Sequence, residues 1–428
     1  MSSTIPAPSW KPGKRTARPG KADTFLFVVY FDPDGLATIP DNIAGWVSAS
    51  ALDYEILNLW DYGPAPLKLP EALRLDDYAG VVIHPAVCYF PHNLIGLDEK
   101  LSTRFTRYRG VKVLAKQDEH YMSYSFARFI QDNAFDILVT CVPDDQLDLA
   151  YPAPALEGVQ VVHQLTAYVS DAVRALPNKP YDQRSVDIGY RGSIQPLICG
   201  RLGYEKYQIG QAVEPAARAA GLLTDIASGW ESRIHGAAWG QFLANCKSVL
   251  GVESGSNLFD LDGKVSQRCD VFAKQHPELA DRHHELYQLA DAEFLGQYEG
   301  NVAYGQISPR HFEAAAAGSL QILYDGRYSD ILLPFQHFFP LKRDLSNLAE
   351  AFDLIANADR WTEITRKARR ELIEPDTYTY AGFAARFDHA VERALYSKPR
   401  RTGASPGRAV FRAAAGRLRQ LAGLKKPH

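Results

Sequence analysis

The stretch NVAYGQISPRHFEAAAAGSLQILYDGRYSDILLPFQHFFPLKRDLSN, residues 301–347, decides how this chain folds. Ser308 is a favoured residue just before a helix, and Pro309 suits the first helical position because its missing N–H would have no partner there. The segment HFEAAAA continues a short helix, and Gly318 provides its end. SLQILY and PFQHFFPL have the composition of buried strands. The stretch therefore predicts a helix followed by two strands of an α/β sheet.

Arg310 and Glu313 are the chemically distinctive side chains of this helix. Arg310 lies in the first turn, where the helix dipole disfavours a cation unless an anion is shared between the guanidinium and the free backbone N–H groups. Glu313 follows by one turn, so both side chains can reach the same cleft. The alternative interpretation is a capped helix whose Arg–Glu pair simply faces solvent.

Apolar segments alternate with helical segments along most of the chain, and a polar linker at residues 176–185 divides it into similar halves. Such alternation is typical of βαβ units and largely parallel sheets. The sequence therefore predicts an α/β fold of two Rossmann-like doubly wound domains facing each other across a cleft. No glycine-rich dinucleotide fingerprint follows the first strand, which argues against a nicotinamide cofactor. Strands are predicted in the first half at 24–31, 55–60, 77–87, 111–120, 135–142 and 159–168.

The composition and charge argue against several classes of protein. The net charge of -3 argues against bulk affinity for nucleic acid. The five cysteines form no CxxC spacing, so they predict reduced thiols of a cytoplasmic protein rather than a zinc site or a disulfide framework. No apolar run approaches the ~20 residues that span a bilayer, and the first residues lack the apolar core of a secretory signal.

The opening stretch resembles the donor-binding segment of GT-B glycosyltransferases. The similarity is greatest to bacterial glycosyltransferases that resemble the spore-maturation protein CgeB, which share a pattern like SPRxFEAxAxG, then a strand, then YSxxLxPxxHxxxLxxDxSN. The matching residues are Ser308, Pro309, Arg310, Phe312, Glu313 and Gly318, then Tyr328, Ser329, Leu332, Pro334, His337, Leu341, Asp344, Ser346 and Asn347.

The resemblance implies a function for this helix. Its N-terminus would meet the diphosphate of a nucleotide-sugar, with Ser308 and Arg310 binding the donor and Glu313 contacting ribose or sugar hydroxyls. Enzymes of this class need no divalent ion, so the resemblance implies neither a cofactor nor a metal. It covers residues 186–395 strongly and residues 24–175 mainly in pattern.

The chain divides accordingly into five segments. Residues 1–22 are a basic, disordered segment, 23–175 an N-terminal Rossmann-like acceptor domain, 176–185 a linker, 186–398 a C-terminal Rossmann-like nucleotide-sugar donor domain, and 399–428 a basic tail. Within the tail, residues 409–426 have an apolar face interleaved with arginines. This suits peripheral contact with anionic lipid at the inner face of the membrane, and an ordinary solvated tail is the alternative.

Further donor-binding residues are expected at two strand ends of the second half. The glycine turn of VDIGYRGS looks like the turn that approaches the donor phosphates, so Arg191, Gly192 and Ser193 are candidates. Arg201 and Lys206 are further cations, and the alternative for each cation is a surface charge. Glu253 and Ser254 follow a buried strand, where polar residues line sites, although ESGSN also has the composition of a turn.

Catalytic candidates combine Glu313 with two residues of the first half, Asp118 and His120. These two end the fourth predicted strand, and an inverting enzyme needs a general base within reach of the acceptor hydroxyl. The alternative is a helix N-cap followed by solvated charge, and His84 is a weaker rival. Many retaining GT-B enzymes carry a second Glu eight residues before the conserved one, where this chain has Gly305. The anomeric outcome is therefore open.

The sequence thus predicts a glycosyltransferase of the hexosyltransferase type. It would move a sugar from a nucleotide-diphosphate sugar to a glycan or lipid-linked acceptor, in bacterial cell-surface polysaccharide synthesis. One alternative is a catalytically inactive GT-B-like protein that binds a sugar-nucleotide or glycan. An α/β epimerase or phosphorylase with the same two-domain frame is a third interpretation.

Overall fold

The computed structural model describes residues 24–34, 38–63, 69–89 and 104–398. The predictions for the basic N-terminal segment and for the basic tail lie outside these residues. None of the helices in the described ranges combines the length and apolarity that a bilayer crossing requires.

The first sheet has six parallel strands in the described residues, in the order β2-β1-β3-β4-β5-β6. Apolar runs such as TFLFVV are buried because helices cover both faces of the sheet. The strand Thr24–Val29, second from one edge, pairs with both neighbours, so that Phe25 lies opposite Tyr54 on one side and Gly80 on the other. The strands are β1 (Thr24–Val29), β2 (Asp53–Asn58), β3 (Gly80–Ile83), β4 (Val111–Ala115), β5 (Ile137–Thr140) and β6 (Gln160–His163).

Helices from both ends of the chain cover one face of this sheet. The helix Tyr380–Ser397, although it follows the second sheet in the chain, packs here against the helix Thr38–Ala49. The Trp46 ring meets Phe383 and Phe387 edge-on, with centroids 4.7 and 5.0 Å apart. Other helices in the described part of the first half include Pro85–Cys88, Ser123–Asp132, Leu147–Ala150 and Asp171–Arg174.

The second sheet has five parallel strands in the described part of the chain, in the order β11-β10-β9-β7-β8. The order reverses between β7 and β9, and ligands of doubly wound sheets bind at the carboxyl ends of strands at such a point. The strands are β7 (Val186–Arg191), β8 (Thr224–Ala227), β9 (Cys246–Gly251), β10 (Leu320–Tyr324) and β11 (Phe338–Leu341), and the helices are Gly200–Ala219, Ala237–Asn245, Lys264–Gln275, His283–Ala290, Pro309–Ala317, Leu348–Ala356 and Ala358–Leu372.

Residues 301–347 fold largely as predicted. Its helix begins at Pro309 and ends at Gly318, whose φ of 69° is the left-handed conformation of a helix C-cap. SLQILY forms β10, which is wholly buried. β11 is shorter than the segment PFQHFFPL because Phe335 adopts a φ of 61° in the turn that precedes it.

The carboxyl ends of the two sheets face each other, and the loops after β4, β5 and β6 join them. Backbone bonds run from the Asp260 N–H to the His120 carbonyl (2.7 Å) and from the Met122 N–H to the Asp260 carbonyl (2.6 Å). The Arg327 guanidinium forms an ion pair with Asp145 at 2.8 Å. The predicted fold class is therefore confirmed: two doubly wound α/β sheets face each other across a cleft.

Candidate functional site

A cavity of about 510 Å³ lies at the carboxyl ends of β7 and β9, where the strand order of the second sheet reverses. The N-terminus of the helix Pro309–Ala317 forms one wall. A helix start offers free N–H groups and a partial positive charge to an anion. The residues from the other walls include Tyr190, Arg191, Ser193, Lys206, Arg233, His235, Trp239, Phe242, Val252 and Ser254.

The start of this helix is held by a capping box between Ser308 and His311. The Ser308 N–H donates to Nδ1 of His311 at 2.9 Å. Burial, and then the nearby charge of Arg310, lower the pKa of His311 to about 3, so its ring is neutral near pH 7. His311 lines the cavity and was missed by sequence reasoning. The Ser-x-x-His spacing, which imitates the usual Ser-x-x-Glu box, is the signal that could have found it.

Two cations from different helices face the cavity. The guanidinium of Arg310 is exposed, donates to the Arg191 carbonyl, and lies 5.5 Å from the Trp239 ring centroid. Lys206 is half-buried, and burial lowers its pKa, as does the charge of Arg310. Within the described ranges the Lys206 ammonium has no hydrogen-bond or ion-pair partner. Two cations beside a helix start form a site for an anion such as a phosphate.

Glu313 supplies a hydrogen-bond acceptor at the same wall. Its Oε2 accepts a bond from the Trp239 indole N–H at 2.7 Å, which fixes the side chain. Burial raises the pKa of Glu313, while the indole bond and Arg310 act in the opposite direction. Among the described residues Oε1 has no partner, so this oxygen can accept a bond from a ligand hydroxyl.

The predicted glycine turn adjoins the cavity, but its arginine is already occupied. The Arg191 guanidinium donates to the Asp225 carboxylate at 2.8 Å and stacks over Phe242 at 4.5 Å. Arg191 therefore forms a fixed wall of the cavity, which differs from the expected free phosphate ligand. Gly192 is required by close packing, because a Cβ there would lie 2.4 Å from Oγ of Ser228. Ser193 lines the cavity.

The structure separates the predicted pair of Glu253 and Ser254. Ser254 lines the cavity, and its backbone pairs with Gln306. The Glu253 carboxylate is buried outside the cavity lining, where it accepts the backbone N–H groups of Arg327 at 2.6 Å and Tyr328 at 3.3 Å. Burial raises its pKa. A carboxylate so engaged holds two loops together, and the expected contact of Glu253 with the donor stays a prediction.

Asp118 and His120 lie across the cleft and do not line the cavity. Burial lowers the pKa of the half-buried Lys206, and the charge of Asp118 acts in the opposite direction, so Asp118 interacts electrostatically with this cavity-lining ammonium. Burial lowers the pKa of His120 to about 4, and its buried Nδ1 has no partner among the described residues. Asp118 adopts a φ of 56°, a strained conformation for a residue other than glycine.

Two other candidates, His84 and Arg201, do not contribute to the cavity. His84 is buried, with Nδ1 accepting the Ala86 N–H at 3.1 Å and Nε2 joined to Asn42 at 2.9 Å. Burial lowers its pKa to about 3, so it is structural rather than a rival base. Arg201 lies at the exposed start of the helix Gly200–Ala219, outside the cavity lining.

Position 305 has no room for a carboxylate. A Cβ built on Gly305 would lie 1.9 Å from Oε1 of Glu253, so a side chain there would clash with a buried group.

In the described part of the chain, no group of three or more His, Cys, Asp or Glu residues is arranged to hold a metal ion.

No protein-family model matches the chain, and no curated protein matches it either. Solved structures with a similar arrangement include an alpha-glucosyltransferase in complex with UDP-glucose and DNA containing an abasic site, at 11% identity and a TM-score of 0.46, covering 86% of this chain and 99% of that one. AviGT4, a glycosyltransferase involved in Avilamycin A biosynthesis, has 11% identity and a TM-score of 0.40, covering 87% and 98%. TarM has 11% identity and a TM-score of 0.42, covering 74% of this chain, which spans only 55% of TarM. The likeness is distant, and no activity of this chain follows from it.

Proposed function

We propose that this protein is a glycosyltransferase that uses a nucleotide-diphosphate sugar as donor. The observation that carries the proposal is the convergence of Arg310, Lys206 and a capped helix start on one cavity, with the free oxygen of Glu313 beside them. A diphosphate needs cations and N–H donors, and a sugar or ribose needs an acceptor for its hydroxyls. The first turns of the helix Pro309–Ala317 offer N–H donors, a cation and an acceptor, and the neighbouring helix adds Lys206.

The chemistry assigned to these groups is charge stabilisation. In glycosyl transfer an acceptor hydroxyl oxygen attacks the anomeric carbon, and the bond from that carbon to the diphosphate breaks with its electron pair. Fixed cations and helix N–H groups stabilise the charge that develops on the departing diphosphate without reorganising. The proposal therefore assigns the stabilisation of this diphosphate charge to Arg310 and Lys206. It requires no resident cofactor or metal.

The proton of the acceptor hydroxyl needs a base on the opposite wall. Asp118 is the candidate that its electrostatic interaction with Lys206 favours, since Lys206 itself lines the donor cavity. His120 is the second candidate, although a pKa of about 4 makes it a weak base. The acceptor class (a glycan or lipid-linked glycan), hexosyl transfer, a cytoplasmic location and a role in bacterial surface polysaccharide synthesis belong to this proposal through the sequence resemblance alone.

Nucleotide binding tests the proposal directly. Thermal unfolding of the purified protein is followed with UDP, GDP, dTDP, CMP and their sugars, since a ligand that binds the native state raises its stability by about 2.7 kcal/mol at a hundredfold excess over the Kd. One nucleotide family is expected to stabilise the wild type and Arg201→Ala equally, and to stabilise Arg310→Ala clearly less. Arg201 is the matched control because it is an exposed arginine outside the cavity. If no nucleotide stabilises the wild type, the proposal fails.

A non-catalytic sugar-nucleotide or glycan-binding protein is the second candidate function. The observation that favours it is Gly305, whose position lacks a carboxylate and cannot accept one without displacing Glu253. The two candidates differ in turnover. A nucleotide-sugar that binds but is never consumed, with a panel of glycan acceptors present, would support the binding protein over the enzyme.

A further inference from the structure

Three aromatic side chains follow the first two strands and form what we call the aromatic platform: Tyr30, Trp60 and Tyr62. Tyr30 comes directly after β1, and the other two lie in the short turn after β2. The rings of Tyr30 and Trp60 are 5.5 Å apart. Trp60 is 43% exposed and Tyr62 is 57% exposed, which is unusual for large aromatic side chains at the end of a buried sheet.

The backbone beneath the platform is fixed by Asn58. Its Oδ1 accepts the Phe31 N–H at 3.2 Å, and its Nδ2 donates to the Phe31 carbonyl at 2.9 Å. The same Oδ1 accepts the Trp60 N–H at 3.3 Å and so caps the turn that carries the aromatic residues. The loops after β1 and β2 are therefore joined, and the aromatic rings stand on a preformed surface.

Among the described residues, the platform lies at the end of the first sheet away from the loops that bond to the second half of the chain. The loops after β4, β5 and β6 bond to the second half of the chain, whereas β2 and β1 lie at the opposite end of the sheet order. All the strands of this sheet are parallel, so their carboxyl ends share one edge, which is the edge that faces the cleft.

The charge around the platform selects its ligand. Residues 30–34 and 58–63 contain Asp32, Asp34 and Asp61 and no Lys or Arg. Carboxylates repel a phosphate or a phosphorylated lipid, while they accept hydrogen bonds from hydroxyl or ammonium groups. Exposed aromatic faces offer flat apolar contact area to a ring that carries such groups at its edge. A sugar without phosphate or carboxylate has this combination.

We propose that the aromatic platform binds the acceptor through uncharged or amino sugar rings of a glycan. This inference rests on the proposed function, because it supplies the acceptor side of the same cleft. It commits the acceptor to a glycan that lacks phosphate at the contacted rings. The cleft then has two walls of different charge. The cations of the donor cavity face the anionic donor, and the carboxylates beside the platform face the acceptor.

Binding of defined sugars tests this inference. Saturation-transfer NMR is recorded with maltotriose and chitotriose as neutral probes and with glucose 1-phosphate as an anionic probe. Trp60→Ala and Tyr62→Ala are compared with Tyr396→Ala, an equally drastic change at a 71% exposed tyrosine on the helix Tyr380–Ser397. Loss of one aromatic contact is expected to weaken binding of a neutral probe about two- to tenfold. Thermal unfolding of each variant checks that the fold is retained.

The expected result is binding of at least one neutral probe to the wild type and to Tyr396→Ala, with weaker binding to both platform variants. Three outcomes overturn the inference: equal binding by all four proteins, preference for the anionic probe, or no binding of any neutral probe. If no neutral probe binds, the platform is an interface for a different partner. The nucleotide experiment separates the two proposals. Nucleotide binding without sugar binding overturns only this inference, whereas sugar binding without nucleotide binding overturns only the glycosyltransferase.

Discussion

Replacement of Arg310 is the most informative perturbation of the donor cavity. One nitrogen of its guanidinium donates to the Arg191 carbonyl, and the other nitrogens have no hydrogen-bond partner among the described residues. A phosphate can accept two bonds from such a fork, and a hydrogen bond to a charged group contributes about 1.5–3 kcal/mol. Because Arg310 is exposed, we expect the lower half of this range, which corresponds to an affinity loss of about 10- to 30-fold in Arg310→Ala.

Isothermal titration with the nucleoside diphosphate that stabilises the wild type measures this loss. Arg310→Lys keeps the charge but loses the planar fork, so its affinity is expected between those of the wild type and Arg310→Ala. The salt dependence should also fall in Arg310→Ala, because one ionic contact is gone. Arg201→Ala should match the wild type in both measurements.

The reasoning is refuted if Arg310→Ala binds the diphosphate with unchanged affinity while its thermal unfolding is normal. An equal loss in Arg201→Ala would also contradict it, because a cation outside the cavity would then matter as much as one that faces it. A loss with the nucleoside diphosphate but not with the corresponding monophosphate would agree with a contact to the second phosphate.

Other predictions concern packing, metal and pH. Gly192→Ala places a Cβ 2.4 Å from Oγ of Ser228, so urea denaturation should show a loss of about 1–3 kcal/mol, and unchanged stability would contradict the packing. Transfer activity should survive chelation of divalent ions, and a loss that magnesium restores would reveal a metal requirement. Burial lowers the pKa of His84 to about 3, so between pH ~6.5 and 3 the unfolded chain binds a proton that the folded chain does not. Stability should therefore fall as the pH drops through this window, and this slope, measured by urea titration, should be smaller in His84→Gln.

The local structure of the opening stretch was predictable because short-range signals determine it. Ser308 and Gly318 mark the two ends of a helix through the backbone groups that they satisfy or the conformation that they allow. The buried strands were predictable as apolar runs, because a parallel sheet that is covered on both faces has no solvent-exposed side that needs polar residues. The doubly wound class follows from the alternation of such strands with helices.

The partners of individual side chains were not predictable, because they lie far away in the sequence. Arg191 bonds to Asp225, and Glu253 bonds to backbone N–H groups at Arg327 and Tyr328, in loops whose approach only the folded sheets determine. Sequence position alone placed Glu253 and Ser254 together at a strand end. In the structure adjacent residues point to different environments, so one lines the cavity and the other holds the loops.

The distribution of contacts between the two sheets determines where the cleft can widen. At the β4–β6 end, the bonds of Asp260 to His120 and Met122 are made by backbone groups, and the buried Glu119 carboxylate accepts bonds from Tyr151 at 2.8 Å and from Tyr304 at 3.2 Å. Separating the sheets there would leave buried polar groups without partners, which costs about 1–3 kcal/mol for each group. At the β2–β1 end, exposed aromatic rings already face solvent. Among the described residues, widening therefore breaks fewer such bonds on the side where the acceptor is proposed to bind than on the side that carries Asp118.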